Sequence, residues 1–66
     1  MKEYLNKVHE IASSKLYAKL KGAKSGSDDF YELDAKFERV LRRWSNLLHV
    51  SSARMEYDIE AAYKAA

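Results

Sequence analysis

Tyr4, Leu5, Val8, Ile11, Ala12, Leu16 and Leu20 recur at steps of three and four residues along the first third of the chain. That spacing places them on one face of an α-helix. Lys7, Glu10, Ser14 and Lys21 fall largely on the other side, so the pattern predicts a helix over about 2–21. Glu3 stands four residues before Lys7, the better orientation for a helix ion pair worth ~0.2–0.5 kcal/mol. Gly22 follows as a candidate C′ residue, and Lys19 and Lys21 oppose the negative end of the helix dipole. Residues 22–27, Gly-Ala-Lys-Ser-Gly-Ser, are turn-like in composition and short enough to make the flanking helices antiparallel neighbours. A phosphate-loop reading of them fails, because no Gly-Lys-Ser/Thr ending follows and no apolar strand precedes.

The second helix has the clearest pattern. Asp29 and Glu32 fit a capping box, with Ser27 and Asp28 as competing N-caps. Phe30, Leu33, Phe37, Val40, Trp44 and Leu47 then alternate by three and four, widened by Leu41 and Leu48 into a coiled-coil-like seam. Glu32 with Lys36 and Glu38 with Arg42 make favourable flanking pairs. A helix over about 28–48 would be ~31 Å long, matching the ~30 Å of the first. The two predict an antiparallel hairpin.

Extending the seam lands on Ser51, Arg54 and Asp58, so the apolar register is lost at His49-Val50-Ser51-Ser52. A new face appears through Met55, Ile59 and Ala62, with Tyr63 and Ala66 beside it. A turn and a shorter third helix over about 52–64 is the expected arrangement, with Ser51 or Ser52 as its cap. The alternative is one continuous long second helix, whose overhang would need a second chain to cover Met55 and Ile59. The fold class is all-α in both cases, in one small helical domain over 1–66. Self-association is expected, because Phe30, Leu33, Phe37, Val40, Leu41, Trp44, Leu47, Leu48, Met55 and Ile59 supply more apolar surface than one short helix can cover. If Trp44 were fully buried, truncating it to alanine would cost ~3–5 kcal/mol.

Composition narrows the function. The 66 residues contain no cysteine and no proline, which removes disulfide staples and thiolate chemistry. No apolar stretch approaches the ~20 residues of a membrane span, and Met1-Lys2-Glu3 begins no signal peptide, so a cytoplasmic location is expected. Residues 1–24 carry six lysines and two acidic groups, whereas residues 25–66 carry six basic and eight acidic groups. That asymmetry is too modest for the clustered basic stripe of a committed nucleic-acid binder.

Catalytic chemistry is not expected, nor is a cofactor or metal. His9-Glu10 begins like a zinc-protease His-Glu-x-x-His motif, but Ser13 occupies the fifth position and His49 is remote. Ser13-Ser14 and Ser51-Ser52 lack acidic and histidine partners at recognisable spacing. The carboxylates at Asp28-Asp29 and at Asp58 and Glu60 suit caps and solvated faces.

Residues 44–59 allow a different reading. Trp44, the small Ser45, Leu48, Val50, Ser51 and Met55 stand at the relative spacing of a helix-turn-helix core, and the segment resembles that DNA-binding motif. The resemblance implies a dimeric DNA-binding regulator, with His49 in a turn position that requires positive φ. It departs from the motif in having Asp58 at the late apolar position, with Ile59 adjacent. Its second helix also sets Arg54 and Lys64 against Glu56, Asp58 and Glu60, a balance repelled by phosphates. Lys36, Arg39, Arg42, Arg43 and Arg54 could serve nucleic acid in another mode, or form a solvated flank paired with Glu32 and Glu38.

Protein recognition is the favoured function. Five tyrosines and one tryptophan are many for this length, and Tyr17, Tyr31 and Tyr57 lie off or beside the main stripes. Tyr, Trp and Arg dominate interface hot spots. The expected partner-binding residues are therefore Tyr31, Arg39, Arg42, Arg43, Arg54 and Tyr57, on a homodimeric regulator or inhibitor. Its small, cysteine-free helical character is similar to that of regulators carried by phages and other mobile elements.

Overall fold

Ser13 and Ser14 divide the helix expected over 2–21 into two. A computed structural model describes residues 2–65 as four helices: α1 (Lys2–Ala12), α2 (Lys15–Gly22), α3 (Asp28–Leu47) and α4 (Ser52–Ala65). Ala66, expected beside the Met55 face, lies outside the described residues. The chain is all-α, but it counts one helix more than its periodicity predicts.

The extra break has a local cause. Ser14 Oγ donates to the Ile11 carbonyl at 2.6 Å and accepts from the Tyr17 N–H at 3.3 Å. Ser13 Oγ donates to the His9 carbonyl at 2.9 Å. Hydroxyls bonded to nearby main chain compete with helix propagation, and Ser14 itself turns extended (φ −72°, ψ 154°) to cap α2. The register shifts as a result. Tyr17, read from sequence as lying off the stripe, is only 2% exposed, and Leu16 is half-buried. Leu5 falls at the edge of the arc set by Val8, Ile11 and Ala12 and stays 51% exposed.

The α2–α3 connection takes its positive φ at Gly26 (85°). Gly22 instead closes α2, and Ala23 caps it in extended conformation, its N–H donating to the Leu20 carbonyl at 3.3 Å. Of the two competing caps on α3, Ser27 is used: its Oγ accepts from the Phe30 N–H at 3.1 Å and donates to the Lys24 carbonyl at 2.7 Å.

α3 ends in a Schellman motif. The Val50 N–H reaches back to the Ser45 carbonyl at 2.9 Å, and the His49 N–H reaches the Asn46 carbonyl at 3.3 Å. His49 occupies the C′ position with φ 56°, the left-handed conformation usually taken by glycine. Ser51 then accepts from the Arg54 N–H at 3.5 Å as α4 begins. Residues 48–51 are therefore a turn, and the continuous-helix alternative is overturned. A left-handed non-glycine residue costs ~1–2 kcal/mol, part of which glycine returns as unfolded-state entropy. His49→Gly is expected to raise stability by ~0.5–1 kcal/mol and His49→Val to lower it, both read from urea unfolding midpoints.

The four helices close a ring, α1 against α4, α4 against α3, α3 against α2, and α2 against α1. Each contributes to one core: Val8, Ile11 and Ala12, then Tyr17 and Leu20, then Phe37 and Leu41, then Met55 and Ile59. Ser45 is buried among them and donates to the Arg42 carbonyl at 3.0 Å. Tyr17 lies at the aromatic centre, 5.2 Å from the Phe37 ring and 5.1 Å from the Tyr63 ring.

The predicted seam of α3 divides lengthwise. Phe37 and Leu41 are fully buried, Phe30, Leu33, Val40, Trp44 and Leu48 are half-buried, and Leu47 is 57% exposed. Leu47 is thus no part of the monomer core, because the chain turns away at Leu48 and leaves nothing to cover it. The molecule is flat, measuring 35 × 24 × 16 Å. Its accessible surface is 5023 Å², against about 4,300 Å² for a typical monomer of this mass.

Candidate protein-binding surface

The residues expected to bind a partner are all exposed, and they do not form one patch. On α3, side chains advance about 100° per residue. Arg39 and Arg43 therefore share the face opposite the core, with Lys36 beside them. Tyr31 and Arg42 share a different edge and stand about 16 Å apart along the axis. Tyr31 is 62% exposed and Tyr57 is 70% exposed. Tyr57 follows Arg54 by one turn on α4. Arg54 is tied to Asp58, Nε to Oδ2 at 3.3 Å, whereas Arg39, Arg42 and Arg43 make no ion pair among the described residues. Of the pairs expected on α3, Glu32–Lys36 forms at 3.6 Å, and Glu38–Arg42 does not. Arg42 is exposed, and exposed pairs of this type gain little by closing.

Three features escaped the sequence pattern. Lys7, placed by periodicity on the outward side of α1, lies 3.9 Å over the Trp44 ring and binds Glu10 at 2.6 Å. It therefore pairs forward rather than with Glu3. Arg43 approaches the same indole at 5.8 Å, so Trp44 carries cations from two helices. Lys7 and Trp44 are too far apart in sequence for spacing to reveal the contact.

The second feature joins α1 to α4, where the Tyr4 hydroxyl donates to Asp58 Oδ2. Burial, this hydrogen bond and the carboxylate's charge push the Tyr4 hydroxyl up to about 12. The Tyr4 hydrogen bond, with help from Arg54, holds the Asp58 carboxyl below its ordinary value. Asp58 thus occupies the late apolar position of the helix-turn-helix pattern as a polar clamp, and Ile59 takes the core. A depressed carboxyl contributes stability that is present above its unfolded pKa and lost as pH falls through the folded one. A raised phenol contributes stability that is present below its unfolded pKa and lost as pH climbs towards 12. The stability difference between the wild type and Tyr4→Phe should therefore be constant between about pH 5 and pH 9. It should shrink below about pH 4 and above about pH 10, as measured by urea unfolding across pH.

The third feature is a wide, open groove between α2 and α3. Lys19, Gly22, Ala23 and Lys24 form one side, Ser27, Asp29 and Glu32 the other, and Leu33 lines it between them. Elsewhere Lys21 bridges α2 to α4 through Glu60 at 3.3 Å. That hydrogen bond, followed by the charges of Lys21 and Lys64, lowers the Glu60 carboxyl from its ordinary value.

Among the described residues, no cluster of three or more His, Asp or Glu side chains is placed to hold a metal ion. No described helix is long and apolar enough to cross a membrane. Every buried side-chain nitrogen and oxygen among those residues has a hydrogen-bond partner. The fold and surface define a small helical domain with exposed aromatic and arginine side chains. No family model, curated protein or solved structure matches the chain.

Proposed function

We propose that the chain is a non-enzymatic regulator or inhibitor that acts by binding another protein and is itself a homodimer. One observation carries this reading. Tyr31, Tyr57, Arg39 and Arg42, the chemistry that dominates interface hot spots, stay exposed and outside the core, and Arg43 is exposed beside Trp44. The test is affinity capture from the source cell with nuclease treatment, comparing the wild type with Arg39→Ala/Arg42→Ala/Arg43→Ala. A protein retained by the wild type and lost by the folded triple variant supports the reading. Equal retention by both would remove the arginines from the interface.

A specific feature also favours a dimeric DNA-binding regulator using residues 44–59. His49 adopts the positive φ that a helix-turn-helix turn needs, and Ser45 is buried at the small-residue position. Glu56 and the carboxylates of Asp58 and Glu60 count against it on α4, although Asp58 and Glu60 are paired internally. A salt titration on random duplex DNA separates the two. A steep log–log slope favours DNA binding, and no binding at about 50 mM salt removes it.

A further inference from the structure

Leu33, Val40 and Leu47 are spaced by seven residues and form a stripe on the shoulder of α3 that the chain leaves uncovered at its last residue. Leu33 and Val40 are half-buried and Leu47 is exposed. The residues beside this stripe change sign along the helix. Asp29 and Glu32 flank its beginning, and Lys36, Arg39 and Arg43 flank its later part. Asp29, Arg39 and Arg43 are exposed and make no ion pair among the described residues.

Such a stripe is complementary to itself when reversed. We infer that two copies of the chain pair through antiparallel α3 helices along Leu33, Val40 and Leu47. Leu33 of one copy meets Val40 of the other, which brings Asp29 to Arg43 and Glu32 to Arg39 across the seam, twice by symmetry. The same register carries the exposed Leu47 of each copy to the α2–α3 connection of the other, at the mouth of the groove lined by Lys24, Ser27 and Leu33. Lys36 falls near the two-fold axis, where its own Glu32, 3.6 Å away, offsets the like charge. A parallel pairing would instead set acidic ends against acidic ends and basic against basic.

This inference rests on the homodimer reading and specifies its face and direction, and two measurements test these separately. Sedimentation equilibrium of the full chain at low salt reports the oligomeric state. A dimer whose dissociation constant rises at least about tenfold in Leu47→Glu, with helicity unchanged, supports the stripe. Leu47 is exposed in the monomer, so this variant keeps the core intact. Asp29→Arg should weaken the dimer, and Asp29→Arg/Arg43→Asp should restore it, as only an antiparallel seam allows. Mixing Asp29→Cys with Arg43→Cys under mild oxidant should give the mixed disulfide in preference to either self-pair. A monomer at every concentration overturns the homodimer reading itself and leaves the stripe to a different protein. A dimer indifferent to Leu47→Glu overturns only the face, and preferential Asp29→Cys self-pairing overturns only the direction.

Discussion

Phe37→Ala is expected to remove about a third or more of the stability of the fold and to lower its urea midpoint accordingly. Phe37 is 2% exposed and stands 5.2 Å from the Tyr17 ring, which itself stands 5.1 Å from Tyr63. Removing the ring opens a cavity where three helices meet, and truncations of buried phenylalanine cost ~3–5 kcal/mol. A domain of this length has only about 3–10 kcal/mol in total, at ~0.05–0.15 kcal/mol per residue. Trp44 supplies the comparison. It is half-buried, with Lys7 and Arg43 on its ring, so Trp44→Ala should cost less, about 1–2 kcal/mol. The ~3–5 kcal/mol expected for a fully buried tryptophan therefore belongs to Phe37. Urea unfolding followed by far-UV circular dichroism ranks the two, and a Phe37→Ala protein as stable as Trp44→Ala would place the core elsewhere.

Ile59→Asn should be comparably severe, and it tests whether α4 belongs to the single-chain core. Ile59 and Met55 are 0% exposed, facing α1 and α3 across the ring. The substitution removes apolar burial and places an amide where nothing accepts or donates, for a combined loss of about 3–5 kcal/mol. The urea midpoint should fall by the same amount at every protein concentration, because the cover comes from the same chain. A variant that keeps wild-type helicity and changes only its association state would show that a second chain provides that cover.

Several elements were legible as local chemistry. Ser27 caps α3 because a short hydroxyl at the edge of a strong amphipathic run can take an orphan N–H. The end of α3 was signalled by lost register after Leu48, even though no Gly or Pro stands there. Ser14 breaks the first helix with no such loss of register, because the apolar steps run on through Leu16 and Leu20. The binding candidates Tyr31 and Tyr57 were legible as residues off the stripes, yet Tyr17 met the same criterion and is buried. The difference is the Ser14 break, which rotates α2 against α1.

Periodicity defines an arc on one helix, so the sequence by itself determined that the chain is helical, where α3 starts, and which side chains could be interior. It could not say how much of each arc would be covered, since cover depends on the direction and number of neighbouring helices. Tertiary structure decided that. It turned one seam into a buried row through Phe37 and Leu41 and an uncovered row ending at Leu47. It also brought together Tyr4 with Asp58 and Lys7 with Trp44, pairs that only ring closure makes neighbours.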